Sequence, residues 1–484
     1  MPMPKQPPMR ELHFGQLDAH QEAIDEPELL LAGFYDYREA AYGIATGATW
    51  LLLGPKGAGK SAVFEHLRLE WQARWDRFLT IWDLRDFPVN DVTQIRTGQS
   101  PGAARAQAAW EFLLLLRIYG SLCRDETLEG SKSFAALHSE LKKAGLLDAD
   151  WRSKVVEWSK VTATFNLQVA ELGIELSNSS VGALEVTDVL RRVLATVNVT
   201  AGNRHVVVLD GLDSFFFEVE DEWTSLAGLM HAIEATNRFL RDNRLQVSVT
   251  AAVRSDVFDV LPSAESNKLK PHSVQLDWSA LGIGAGNHLW RLVSAKAAAK
   301  RPGFDDVVSA YMKGPIHIGP HSEMAEYFLD YTRLLPRDLV ALMGYVQTVH
   351  PGSSLITEYE AREAVGRYSQ DYFAPEIFNN LAGTLKVGSA LKLTAFRNAM
   401  RTIPKRTFVF DDVQGELEGE LEPAETKQLL RQMFEIGGIG IRNESGRIEY
   451  TDFVYRRVSG AGFTTRYGFL LHNSLVVAWN RPWA

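Results

Sequence analysis

Short apolar runs alternate with amphipathic stretches through the first 280 residues. Thr49-Trp50-Leu51-Leu52-Leu53 stops abruptly at Gly54-Pro55. An apolar run this short, closed by a glycine turn, predicts a buried parallel strand. A helix is predicted over 60–77 and a second strand over 78–83. Helical spacing returns over Ala103–Cys123, Phe134–Ala144 and Thr187–Val197, while Trp151–Ser180 alternates less regularly and reads as an insertion with some strand. His205–Leu209, Gln246–Val253 and Ser273–Leu276 predict three more strands, with a helix over 222–241 after the first of them. Strand and helix in this alternation predict an α/β domain with a parallel sheet covered by helices.

Beyond about Gly282 the strand pattern ends. Gly286–Lys300, Ser322–Thr332, Arg337–His350 and Thr357–Leu381 all carry helical spacing. Near the end, a helix over Glu425–Gly437 precedes two β-runs, Ile439–Ile441 and Ile448–Phe453, around the turn signal Asn443-Glu444-Ser445-Gly446. Helix followed by a two-stranded wing is a winged-helix pattern. Prolines at 2, 4, 7 and 8 make the first dozen residues a predicted loose tail. The expected organisation is a tail over 1–13 and a P-loop core over 14–281 with a helical insertion near 100–200. A helical lid over 282–385 and a winged-helix-like domain over 386–484 follow.

Composition narrows the classes. The 51 basic and 60 acidic residues give a net charge of −9, which excludes a general nucleic-acid coat. A single cysteine, Cys123, allows neither an intrachain disulfide nor a cysteine zinc cluster and suits a reducing cytoplasm. The richest apolar runs, at 112–116 and 215–217, fall far short of the about 20 residues a spanning helix needs, so no membrane segment is expected.

Chemistry concentrates in Gly54-Pro55-Lys56-Gly57-Ala58-Gly59-Lys60-Ser61, a complete match to G-x-x-x-x-G-K-[ST]. Its glycines let successive N–H groups turn inward around phosphate. The helix starting near Lys60 aims its positive end at the same anion, and Ala62 extends that first turn. Lys60 adds a full charge near the β and γ phosphates, and the Ser61 hydroxyl is a hard oxygen suited to Mg²⁺. A strand before and a helix after supply the context that makes this a nucleotide loop rather than a chance glycine turn.

Val206-Val207-Val208-Leu209-Asp210 is an apolar strand ending in a carboxylate. With a phosphate loop upstream, that strand is expected beside the loop strand, with Asp210 at the metal directly or through water. Asp213 is placed to orient or deprotonate the attacking water, against a competing helix-capping role. At the tip of the next strand Arg254 is the candidate γ-phosphate sensor, with Thr250 the runner-up; a salt bridge to Asp256 or Asp259 is the competing reading of Arg254. Pro336-Arg337 opens a helix of the lid. Ordinary helix-start chemistry accounts for it equally well as contact with nucleotide. His317 and His321 flank Gly319-Pro320, which breaks the helix a zinc pair would need.

Together, Gly54–Ser61, the strand ending Asp210-Gly211-Leu212-Asp213, Arg254 and Pro336-Arg337-Asp338-Leu339 resemble the STAND and origin-recognition-like branch of P-loop ATPases. An early Phe14-Gly15 and a winged-helix-like tail extend the likeness to a bacterial group of them. That resemblance implies ATP with Mg²⁺, a helical lid, use as a regulated switch, and service in conflict systems such as defence against phage. Gly211 stands where an acidic residue is common in the family, and neither a tandem-repeat sensor nor an effector domain is recognisable. A partner protein or further copies of the chain would then supply the output.

Residues 386–484 hold 14 basic against 11 acidic residues, +3, so the remainder carries −9 − 3 = −12. Lys405, Arg406, Arg442, Arg447, Arg456 and Arg457 are candidates for DNA phosphate contact, opposed by the six carboxylates of 411–422. Three functions remain open: a hydrolysing conformational switch, a nucleotide-gated scaffold with negligible turnover, and an ATP-dependent DNA-loading protein.

Overall fold

The structure, a computed structural model, describes residues 6–85, 87, 92, 95, 102–128, 132–147, 163–169, 174–199, 202–212, 220–261, 266–382, 390–445, 448–456 and 462–483. It divides into two compact units. A sheet unit comprises Asp36–Lys56 and Lys60–Leu276, and a helical unit comprises the chain up to Tyr35, Gly57–Gly59 and Asp277 onward.

The sheet unit is α/β, as its alternating pattern predicts. Strands β1 (Leu51–Leu53), β2 (Arg77–Asp83), β5 (Arg204–Asp210), β6 (Val247–Val253) and β7 (Ser273–Gln275) pair in the order β2-β5-β6-β1-β7, every neighbour parallel. β6 is buried along its whole length and β5 through its centre, which is why both read as unbroken apolar runs. One expectation is corrected: β6 lies between the acidic strand β5 and the loop strand β1. Local apolar pattern predicts that strands form, but neighbour choice is made by the crossover helices.

Helices Ala103–Leu122 and Glu220–Asp242 pack together in this unit. Their approach depends on Gly228, where an added Cβ would sit 2.5 Å from the Ala106 Cβ. Trp110 Nε1 donates to Ser225 Oγ at 3.1 Å across the same seam. The region of 151–180 yields an antiparallel hairpin, β3 (Ala163–Val169) with β4 (Ile174–Val181); residues 151–162 lie outside the described residues.

A Ser–His–Asp arrangement is buried at the start of β5. Ser121 Oγ lies 3.1 Å from His205 Nδ1, and His205 Nε2 lies 3.3 Å from Asp125 Oδ2. All three residues are buried and His205 stacks on Phe78 at 4.3 Å, so the group is a satisfied core network.

The helical unit corrects the predicted tail. Met9, Leu12 and Phe14 are buried, Met9 N donates to Gly352 O at 2.7 Å, and Gln347 Nε2 donates to the carbonyls of Met9 and Leu12. Three apolar side chains outweigh the proline content. The N-terminal segment through Tyr35 therefore belongs to this unit and not to the core expected over 14–281.

The same unit holds helices His288–Lys300, Met324–Asp330, Pro336–Val349 and Glu358–Tyr368, the last running through a π turn (Ser369–Phe373) into Ala374–Ala382. Strands do return past 282: β8 (Pro315–Ile318) pairs with β9 (His321–Glu323) across Gly319, whose φ is +57°. His321 Nε2 meets Asp330 at 3.0 Å. At the C-terminal end, β10 (Thr407–Phe408), β11 (Ile439–Ser445), β12 (Ile448–Asp452) and β13 (Gly468–Leu471) form an antiparallel sheet in the order β10-β13-β11-β12, beside helix Pro423–Glu435. The expected lid and winged-helix-like regions thus fall within one unit.

Candidate functional site

The phosphate loop follows β1 and leads into helix Lys60–Gln72. In the sheet unit, Gly54 N donates to Val253 O at 3.3 Å, tying the loop's entry to the end of β6. Lys60 is buried, and its Nζ donates to Gly54 O at 2.9 Å and Pro55 O at 3.1 Å. Its ammonium is thus folded back on carbonyls of its own loop. Ser61 is exposed at the head of the helix, and Ala62 is half-buried behind it. Lys56 is exposed, while Gly54 is buried.

Gly57 and Gly59 adopt φ of +87° and +95°, the left-handed region where a side chain is strained. These residues group with the helical unit. Ala58 is buried and its carbonyl accepts from Trp278 Nε1 at 3.0 Å. Arg337 N approaches Gly57 O at 3.4 Å, and a Cβ on Gly57 would sit 3.3 Å from the Arg337 Cβ. One on Gly59 would sit 4.0 Å from the Pro336 Cγ. Pro336-Arg337, read from sequence as either helix start or nucleotide contact, therefore opens helix Pro336–Val349 and lies on the loop glycines. The Arg337 guanidinium is held by Leu17 O at 3.1 Å and Glu376 at 3.6 Å.

Asp210 ends β5 in register with Asp83 on β2, and its Oδ1 accepts from Gly211 N at 2.8 Å. Gly211 has φ +84°, and a Cβ there would lie 2.8 Å from both Arg85 N and Asp83 Oδ1. A second acid thus reaches the same sheet edge, fixed by Arg85 at 2.6 Å. Its signal in the sequence is the polar residue ending the strand after the loop helix. Asp213 lies outside the described residues.

Arg254 follows β6 and pairs with Asp256 through bonds of 3.1 and 2.6 Å, the salt bridge that competed with its sensing role. Burial pushes the Asp256 carboxyl up, but the Arg254 charge and hydrogen bond, with Lys60 at longer range, hold it below its ordinary range. Asp256 is an acid that sequence reasoning treated only as a partner. Thr250 does not reach this edge: it is wholly buried mid-strand, and its Oγ1 donates to Thr49 O at 2.7 Å, ahead of β1.

The residues present fit a magnesium nucleotide. The two loop glycines form a cradle that a Cβ would strain, and the buried lysine donates to two carbonyls of the loop. The Ser61 hydroxyl and the Asp210 carboxylate are oxygens of the hard type that Mg²⁺ takes.

Of the C-terminal basic candidates, Arg406 is already engaged, bonded to Asn473 and 5.1 Å over the Trp483 ring. Arg447 and Arg457 lie outside the described residues. Among the described residues, no helix is long and apolar enough to cross a membrane.

No protein-family model matches the chain, and no curated protein matches it. Among solved structures, the crystal structure of Cdc6p from Pyrobaculum aerophilum is similar over 89% of this chain and 89% of that one. Identity is 10% and the TM-score 0.31, a likeness too distant to bear on function.

Proposed function

We propose that this protein is a magnesium-dependent, ATP-binding and hydrolysing P-loop ATPase that works as a conformational switch. One observation carries the reading: a buried parallel strand runs into a loop with two left-handed glycines and a buried lysine at the head of a helix. Gly54–Ala62 would hold the phosphates, with Lys60 exchanging its carbonyl partners for phosphate oxygens. Ser61 and Asp210 would hold Mg²⁺, whose chemistry is charge neutralisation at the γ phosphate. β6 separates β1 from β5, so their axes lie about 9.6 Å apart by ordinary ladder spacing, which favours Asp210 acting through water.

Arg254 would report the γ phosphate after releasing Asp256, and Pro336-Arg337 would carry the state of the loop into the helical unit. Asp213 retains its proposed role in positioning the attacking water on sequence grounds alone. A protein partner or self-association, and a place in bacterial antiviral defence, rest on the family resemblance.

A nucleotide-gated scaffold is the second reading, favoured by the satisfied resting contacts of Lys60 and Arg254. Calorimetry with magnesium ATP tests the first step: wild type takes up nucleotide, and Lys60→Ala lowers affinity by about 100-fold or more. Equal uptake by both proteins overturns the assignment. Single-turnover hydrolysis, abolished in Asp213→Asn, separates a switch that hydrolyses from a scaffold that holds ATP unchanged.

A further inference from the structure

Residues 332–338 bear a feature that helix-start chemistry does not require. Arg333 and Asp338 are both buried, with 5% and 0% exposed side chains. Arg333 donates to Asp338 through Nη2 at 2.7 Å, Nε at 2.8 Å and its backbone N at 3.0 Å. These bonds close a turn of six residues in which Leu334 is held at φ +54°, a strained value for a leucine. Strain of that kind persists only where its surroundings over-determine it.

What the turn presents is Pro336 and Arg337, set against Gly59 and Gly57 of the same unit, with Leu335 Cδ1 3.7 Å from the position a Gly57 Cβ would take. Asp338 points inward to Arg333 from the first turn that carries Arg337. Moving the pair therefore moves the residues on the loop.

Further contacts of the pair and its turn come from the π turn and from the C-terminal region. Arg333 Nη1 reaches Ile436 O at 3.5 Å and its guanidinium sits 5.5 Å over Phe373. Just before it, Thr332 O meets His472 Nε2 at 3.3 Å and Tyr331 O accepts from Ser474 Oγ at 2.5 Å. Tyr372 Oη donates to Asp338 Oδ1 at 3.3 Å from the π turn. At the start of that turn the Tyr368 and Ser369 hydroxyls are buried without a hydrogen-bond partner.

We propose that Arg333 and Asp338 are positioning residues for the phosphate loop: their buried pair holds the strained turn that sets Pro336 and Arg337 on Gly57 and Gly59, and couples it to segments 436–438 and 472–474. This deepens the ATPase reading and rests on it for its nucleotide-linked half. The pair itself touches no reacting atom. Its effect runs through Arg337.

The test uses the full chain and the double variant Arg333→Met/Asp338→Leu, which replaces both charges by apolar side chains, a change that is often neutral for stability. Hydrogen exchange of unliganded protein should speed up about tenfold in the peptides holding 57–59 and 335–338, at an unchanged melting temperature. Affinity for magnesium ADP should fall by a similar factor. In wild type, ADP should slow exchange at 436–438 and 472–474, and the double variant should lose that response.

Unchanged exchange at 57–59 in the double variant overturns the proposal, as does a lower melting temperature with unaltered affinity. Should wild type bind no ADP, the ATPase reading fails, while exchange in the unliganded protein still decides whether the pair positions the loop. Where the double variant does not fold, Arg333→Lys replaces it. Lysine keeps the charge but loses the fork, so an intermediate rise in exchange is expected, and none overturns the proposal.

Discussion

Each unit buries a polar centre of its own, and the two centres differ in charge. In the sheet unit the buried His205 is neutral: burial pushes its pKa down to about 4, and Ser121 and Asp125 satisfy its ring nitrogens. In the helical unit the charges stay and are paired. Arg333 clamps Asp338, and Lys296 bonds Glu22 beneath Gly15. A parallel sheet wrapped in helices buries both of its faces against apolar surface. An assembly of shorter helices, a small sheet and an N-terminal strap relies on buried pairs, which fix one arrangement of its parts.

The largest expected effect breaks a charge pair. Asp338→Ala strands the Arg333 guanidinium and should cost about 3–5 kcal/mol in the helical unit. Chemical denaturation followed by peptide-level exchange would show the loss confined to that unit. An equal loss in the peptides of β5 and β6 would remove the contrast between the units.

Acid should act on the other unit. The His205 pKa lies below its unfolded value near 6.5, so the unfolded chain binds the proton first as pH falls. The stabilisation is complete above pH 6.5, declines through the window down to about 4, and amounts to roughly 3 kcal/mol. Urea midpoints against pH for wild type and His205→Gln would reveal it, and parallel curves would refute it.

Packing in the sheet unit predicts a smaller cost. Gly228→Ala puts a methyl 2.5 Å from the Ala106 Cβ and should destabilise by about 1–3 kcal/mol. A neutral substitution would mean that the two helices can separate freely. Smallest is Trp278→Phe, which keeps an aromatic ring, though a smaller one, and leaves Ala58 O without its donor. About 1 kcal/mol should be lost, with faster exchange in the phosphate-loop peptide. No change in that peptide would show that the loop holds its shape unaided.

Much of this was legible along the chain. The five parallel strands and the phosphate loop announce themselves because β1, β5 and β6 are continuous apolar runs, and because the glycines and lysine of the loop are local requirements of its backbone. Asp210 was readable for the same reason, as the polar stop of a buried strand. Asp256 was readable only as a partner of Arg254 and Asp83 not at all, since an acid two residues from an arginine reads the same whether it sits at a site or in a solvated surface bridge. The first dozen residues misled because proline content outweighed Met9 and Leu12, which find their burial only in contact with residues some 300 positions away.

What the amino-acid order determined is local: which segments are strands, where the backbone must turn left-handed, and which residues can carry phosphate chemistry. Tertiary structure alone decided that β6 separates β1 from β5, that the N-terminal segment packs with the helical unit, and that Asp338 serves Arg333 instead of merely starting a helix. The physical reason is range. Periodicity and turn chemistry act over a few residues, whereas strand order and buried charge pairing depend on groups that only the folded chain brings within a hydrogen bond of each other.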